Sequence, residues 1–186
     1  MQSIKTNSSD KISRIKRLGV VGSALPLVFG ALPYFGLIFI VAGYIFLLHA
    51  ITEISELSKD HKLRISYLIS IFGTAISLAL IVLGLFLAGI FSDKLIYGVS
   101  CASISPQNAT GITIAAVGVC LLAVATFKYF KVFKKISLIS CEPLFFYHTC
   151  FYVAGIIMLA FGIGIFILII SFIIQILAWI RLKDIR

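Results

Sequence analysis

Residues 18–52 read LGVVGSALPLVFGALPYFGLIFIVAGYIFLLHAIT, thirty-five positions without a Lys, Arg, Asp or Glu. A helix crosses the roughly 30 Å hydrocarbon core of a bilayer with about 20 apolar residues. The stretch is therefore long for one crossing and short for two. Near its middle, Pro33-Tyr34-Phe35-Gly36 has turn chemistry: a proline that breaks a helix and a glycine that tolerates positive φ. Whether the stretch folds back on itself decides the topology of the whole chain.

Three further stretches lack charged residues: 65–92, 95–127 and 143–180. The first holds one span, about Tyr67 to Phe91. The next opens on a polar segment (Ser100, Ser103, Ser105, Pro106, Gln107, Asn108) and holds one span from Gly111 to Phe127. The last resembles 18–52 in length and is divided by Gly162-Ile163-Gly164. Charge resolves the ambiguity. If 18–52 and 143–180 each cross once, the basic clusters fall on both sides of the membrane. If each is a hairpin, every Lys and Arg except Lys94 shares one side with the two termini. Short-loop Lys and Arg favour the cytoplasm, so the hairpin topology is preferred.

The sequence thus predicts an all-α, polytopic transmembrane bundle of six helices with both termini cytoplasmic. Two short hairpins, 18–52 and 143–180, flank a central antiparallel pair at 65–92 and 111–127. A basic segment covers 1–17, an outer loop 93–110, a basic cytoplasmic loop 128–142 and a tail 181–186, all in a single membrane domain. Asp10 is a candidate N-cap for the first helix, and Pro143 suits the first turn of the fifth.

Composition agrees. Of 186 residues, 61% are apolar and 12% charged, against roughly 45–50% and 25% in soluble domains. A soluble fold of this length leaves too much surface in water to hide that apolar content. The formal charge of +9 would suggest nucleic acid in a soluble chain. Here the basic residues flank long uncharged runs, which points to membrane topology. Four scattered cysteines make no disulfide framework. Lys11 to Arg17 before an apolar run has the outline of a signal peptide, but no clear cleavage site follows before Tyr34.

Small residues mark the packing faces. Ser66, Ser70, Gly73, Ser77 and Gly84 recur along the third helix, and Gly111, Ala115, Gly118 and Ala125 along the fourth. Close backbone approach at such positions supplies much of helix association in lipid, so these two helices are expected to pair. Ala160 and Gly164 form a weaker site of the same kind. A faint internal symmetry relates Gly22 and the segment Gly43 to Ala50 to Gly155 and the segment Ser171 to Ala178, with a gap of five residues.

Motifs for nucleotide, serine-hydrolase and zinc chemistry do not occur, and no nucleophile–base or paired-carboxylate set is apparent within the spans. Polar groups near the membrane are the remaining candidates, because placing them there is costly. His49 and Glu53, four apart on one helical face, could bind a cation or relay a proton, or simply pair with each other at the interface. Gln175, the amide deep in the last helix, is expected to bond another helix. Cys141, His148 and Cys150 include soft metal-ligand types at a spacing that fits no zinc pattern. Lys128 to Lys135, interleaved with Tyr129, Phe130 and Phe133, reads as an interfacial anchor able to attract anionic headgroups. Asn108-Ala109-Thr110 is a formal glycosylation sequon, relevant only in a eukaryote.

The pattern Leu18-Gly19, Gly22-Ser23, Pro33-Tyr34, Gly36, Gly43, Ile45 and Ala50, followed by Ile54 to Lys59 and Tyr67-Leu68, resembles the uncharacterised integral membrane family catalogued as domain of unknown function 996. Ala154-Gly155-Ile156, Gly162, Gln175-Ile176 and Ala178 resemble that family's last hairpin. The likeness covers both ends and little of residues 93–142, and the charged tail from Arg181 to Arg186 departs from the family's apolar ending. It implies a multi-helix prokaryotic membrane protein and carries over no catalytic or binding residues.

The expected function is that of a non-enzymatic structural or accessory component of a prokaryotic cytoplasmic membrane. No cofactor or metal is expected. Its expected partners are the lipid bilayer and either a second copy or another membrane protein, not nucleic acid. The alternative is a small oligomeric transporter or channel with His49, Glu53 and Gln175 along its path.

Overall fold

A computed structural model describes residues 2–30, 32, 35–89, 106–183 and 185. Pro33 and Tyr34 of the first turn lie outside the described residues. So does most of the outer loop 93–110, with Asp93, Lys94 and Cys101. The described residues form six α-helices and no strand: α1 (Gln2–Phe29), α2 (Gly36–Leu57), α3 (His61–Leu87), α4 (Pro106–Ser140), α5 (Leu144–Met158) and α6 (Gly164–Arg181). A single 3-10 turn, Leu159–Phe161, joins the last two. Four of the helices (α2, α3, α4 from Asn108, and α6) are long and apolar enough to cross a membrane. The architecture is that of an all-helical membrane bundle.

Several boundaries differ from those read in the sequence. Helix α1 begins at Gln2, so Asp10 lies inside it and caps nothing. Pro106, Gln107 and Asn108, read as loop, form the first turn of α4, where a leading proline loses no hydrogen bond. The larger correction concerns 128–142. Instead of a basic loop, α4 continues unbroken to Ser140. Tyr129, Val132, Phe133, Ile136 and Ser140 are buried along it, while Lys131, Lys134 and Lys135 are exposed. That is the three- and four-residue rhythm of an amphipathic helix, and the lysines occupy its polar side.

The chain divides into two compact units. One comprises 1–68 and 128–186, the other 69–127. The smaller unit is the facing halves of α3 and α4. Ser70 Oγ donates to the Ala125 carbonyl at 3.1 Å. A Cβ on Gly73 would lie 3.1 Å from the Ala125 methyl, one on Gly118 3.0 Å from the Ser77 carbonyl oxygen, and one on Gly84 2.7 Å from the Gly111 carbonyl oxygen. Contacts that rise along α3 as they fall along α4 define an antiparallel pair. Its helices approach backbone to backbone only because the facing positions lack side chains.

The larger unit holds the two hairpins, with α1 packed on α2 and on α6, and α5 packed on α6. The α2–α3 corner is closed at Lys59, whose φ is 55°. There the Asp60 N–H bonds back to the Ser55 carbonyl at 2.9 Å, while Ser55 Oγ donates to the Asp60 carbonyl at 2.7 Å. The α4–α5 corner repeats the device. Cys141 has φ 52°, and Ser137 Oγ donates to the Glu142 carbonyl at 2.9 Å. A side-chain hydroxyl one turn before each left-handed residue thus ties down the carbonyl that follows it.

The two hairpins also share a burial pattern. Helix α6 buries Gly164, Ser171, Gln175, Ala178 and Trp179. Helix α2 buries Gly36, Gly43, Leu47, Ala50 and Ile51 among others, at the same spacing. The internal symmetry noted in the sequence therefore coincides with which faces are covered.

Candidate functional site

The residues singled out in the sequence do not converge. His49 is exposed, and its Nδ1 lies 3.2 Å from the Ile45 carbonyl one turn back. Glu53 is paired with Arg14 of α1, Nε to Oε1, at 3.0 Å. The pair lines a groove of about 210 Å³ together with Lys11, Glu56 and Leu57. His49 and Glu53 thus share a helical face without sharing a task. Gln175 is fully buried, and its amide donates to the Tyr129 hydroxyl at 3.5 Å, a long bond to another helix.

What the fold assembles instead is a buried polar cluster centred on His148. The ring sits on α5 with no exposed surface, facing Tyr129 of α4 and Ser171 of α6. Its Nε2 lies 3.0 Å from the Tyr129 hydroxyl. Its Nδ1 lies 3.0 Å from the Ser171 carbonyl oxygen and 2.8 Å from Ser171 Oγ. Ser171 Oγ in turn reaches the His148 carbonyl at 3.0 Å.

The protons in this cluster can be assigned by elimination. A carbonyl oxygen only accepts, so Nδ1 carries the proton it gives to the Ser171 carbonyl. Nδ1 then donates to Ser171 Oγ as well. The single hydroxyl proton of Ser171 goes to the His148 carbonyl. In the neutral ring Nε2 is an acceptor and takes the Tyr129 proton. Each of His148 and Ser171 uses its side chain to bond the other's backbone, and the result is a reciprocal clamp between α5 and α6.

The cluster also corrects one sequence-based statement. A serine and a histidine within 2.8 Å are a nucleophile–base pair by residue type and distance. The proton arrangement points the other way. Nδ1 is already protonated toward Ser171, so it cannot take that hydroxyl's proton, and the hydroxyl is engaged with a carbonyl. His148 is also withdrawn from Cys141, which is exposed at the α4–α5 corner. No group of three His, Cys, Asp or Glu side chains stands close enough to hold a metal among the described residues.

Aromatic rings close the cluster. Tyr129 packs on Phe133 with ring centres 4.6 Å apart and on Tyr152 at 4.7 Å. Phe133 meets His148 edge-on at 5.2 Å, and Phe145 meets Trp179 edge-on at 4.9 Å. Gln175 Oε1, Trp179 Nε1 and the Tyr67 hydroxyl are buried here with no hydrogen-bond partner. Such a group costs about 1–3 kcal/mol.

Outside the apolar core, Lys135 of α4 is paired with Asp60 at the α2–α3 corner. The hydrogen bond from Lys135 holds the Asp60 carboxyl below the usual carboxylate range. The seam candidates Ser70, Gly73, Ser77 and Gly84 all face the stretch of α4 that holds Gly111, Ala115, Gly118 and Ala125.

Sequence reasoning missed Tyr129 and Ser171 and gave His148 the wrong company. Two signals were present. Tyr129 falls on the apolar rhythm of α4 beside the lysines. Ser171 occupies the place of Gly43 in the internal symmetry, so a polar group there marks a helix contact. No protein-family model, curated protein or solved structure matches the chain.

Proposed function

We propose that the chain is a non-enzymatic helical scaffold, a structural or accessory component of a prokaryotic cytoplasmic membrane with both termini on the cytoplasmic side. The observation that carries this reading is the reciprocal clamp. The most deeply buried histidine and its serine spend their hydrogen-bonding capacity on each other's backbone, as groups that fasten helices do. The dispersal of His49, Glu53 and Gln175 supports the same reading, because a transport path would need them along one route. The orientation rests on the segregation of basic residues, all but Lys94 lying outside the central pair and its connection. The resemblance of both ends to the family catalogued as domain of unknown function 996 implies a multi-helix prokaryotic membrane protein. The partners of such a scaffold are lipid and a second copy or another membrane protein.

Reconstitution into liposomes tests the proposal. The scaffold reading expects no ion or solute flux over a range of pH and salt. Flux that disappears in His49→Ala or Glu53→Gln would establish the transporter instead. Size measurement in detergent separates a monomer from an assembly. Labelling of Cys141 by a membrane-impermeant maleimide from the outer face would overturn the proposed orientation.

A further inference from the structure

We propose that both hairpin turns end inside the hydrocarbon of the bilayer rather than in water on the far side, so that α1–α2 and α5–α6 are re-entrant wedges. The surface concerned is the pair of turn regions, and its partner is the acyl-chain interior of the membrane. This inference holds whether the chain is a scaffold or a transporter.

The first support is what the turns expose. Around the first, Phe35 is 62% exposed and Leu37 72%; around the second, Phe161 is 72% exposed and Phe166 69%. Water penalises side chains of this size and class, and contiguous apolar patches of this kind mark membrane or protein contact. The second support is what the turns lack. From Ala24 to Leu48 and from Phe151 to Ile170 the only side chains able to donate a hydrogen bond are tyrosines. The connection between α3 and α4 reads differently. It contains Ser92, Asp93, Lys94, Ser100, Ser103 and Ser105, the composition of a segment that meets water. One chain therefore carries two kinds of turn, and only one is written for solvent.

The third support is length. Helix α5 has 15 residues, about 22 Å at 1.5 Å per residue. In α1 the apolar part from Leu18 to Phe29 is shorter still, about 18 Å by the same rise. Neither covers the roughly 30 Å core; their partners α2 and α6 are long enough to do so, and the short arms set how deep each turn can reach. The fourth is backbone economy. In lipid each unpaired peptide group is costly, and among the described residues the turns make local pairs: Gly30 N–H to Pro26 O at 3.0 Å, Gly36 N–H to Leu32 O at 2.9 Å, and Gly162 N–H to Leu159 O at 3.0 Å. The second turn is closed by Gly162 at φ 78°, where a side chain would be strained.

Another protein could cover an exposed apolar turn. Lipid is favoured because the two turns share their chemistry, belong to arms flanked by basic residues, and present aliphatic and phenyl groups with nothing polar to confer specificity. Depth measurement decides between them. The four cysteines are replaced by serine or alanine, Phe35→Cys and Phe161→Cys are introduced singly, and each is either labelled in detergent with an environment-sensitive fluorophore for the quenching arm or left unlabelled for the maleimide arm. The full chain is then placed in phosphatidylcholine–phosphatidylglycerol vesicles.

The expected result is strongest quenching by lipids brominated along the acyl chains, weak quenching by headgroup nitroxides, and no reaction with impermeant maleimide from either face until detergent is added. Reaction from the face opposite the Cys141 position, or quenching by aqueous iodide, would overturn the proposal. So would a probe insensitive to every lipid quencher, since that places a protein over the turn. As a check that does not depend on labelling, Phe161→Lys is expected to lower membrane-inserted yield at least tenfold; a yield like that of the unsubstituted chain would contradict a hydrocarbon location.

Discussion

The two compact units share one means of holding helices together, and the larger adds a second. In 69–127 the helices meet at glycine, alanine and serine, and the attraction is close backbone approach. In the unit of 1–68 and 128–186 the two hairpins also meet at glycines, Gly22 on Gly43 and Gly155 on Gly164, and large aromatic rings and a hydrogen-bonded histidine are added. Both solve the same problem. Where lipid tails are as apolar as the side chains, burial of hydrocarbon gives no net pull between helices. The first unit removes side chains so that many small dispersion contacts accumulate. The second inserts polar groups whose partners lie only on the neighbouring helix. The first should be sensitive chiefly to added volume, the second to added volume at its hairpin glycines and to loss of polar groups around His148.

The strongest way to break this contrast is Gly84→Leu. The space is bounded by the backbone of Gly111 and Ala115, which cannot rotate away, so a loss of about 3 kcal/mol or more is expected. Thermal melting in detergent, followed by size exclusion, measures it. Gly73→Ala is the control. Its new methyl would meet the Ala125 methyl at 3.1 Å, a contact relieved by a shift of a few tenths of an ångström, and its melting temperature should stay close to that of the parent.

In the other unit, His148→Ala is expected to cost about 2–3 kcal/mol, because it opens a hole and strands the Tyr129 and Ser171 groups. Combined with Ser171→Ala in a double-mutant cycle, it should show coupling of about 1 kcal/mol. Additive effects would mean that the clamp does not act as one. Gln175→Leu sharpens the comparison further. Its one bond is long and its Oε1 is unpaired, so removing the amide should leave the melting temperature almost unchanged or raise it.

Arg14→Ala should cost under about 1 kcal/mol, since the Arg14 side chain is 69% exposed. The smallest effect is expected at Asp60. Its carboxyl is held low by Lys135, so the pairing stabilises the fold above the ordinary aspartate range and is lost as pH falls through the lowered value. An acid titration of the melting temperature should show this decline in the parent and a shallower one in Asp60→Asn.

Much of the bundle was legible because lipid imposes simple rules. Uncharged length marked the helices, and the spacing of Ser70, Gly73, Ser77 and Gly84 marked the face on which the structure places the α3–α4 contact. The extension of α4 was hidden by its charge. Lys128 to Lys135 looks like a loop or an anchor when lysines are counted, and like a buried face when Tyr129, Val132, Phe133 and Ile136 are read at helical period. The clamp was beyond the sequence for a different reason. His148 and Ser171 are separated by a turn, and Tyr129 stands on another helix.

The sequence by itself determined that this protein is helical and made for a membrane, because the free energy of apolar surface and of unpaired backbone depends on composition and span length alone. Only the tertiary structure decided what its polar residues do. A hydrogen bond needs two groups within about 3 Å in the right orientation. Which groups meet across helices is set by how those helices pack, so Glu53 went to Arg14 and His148 to Ser171.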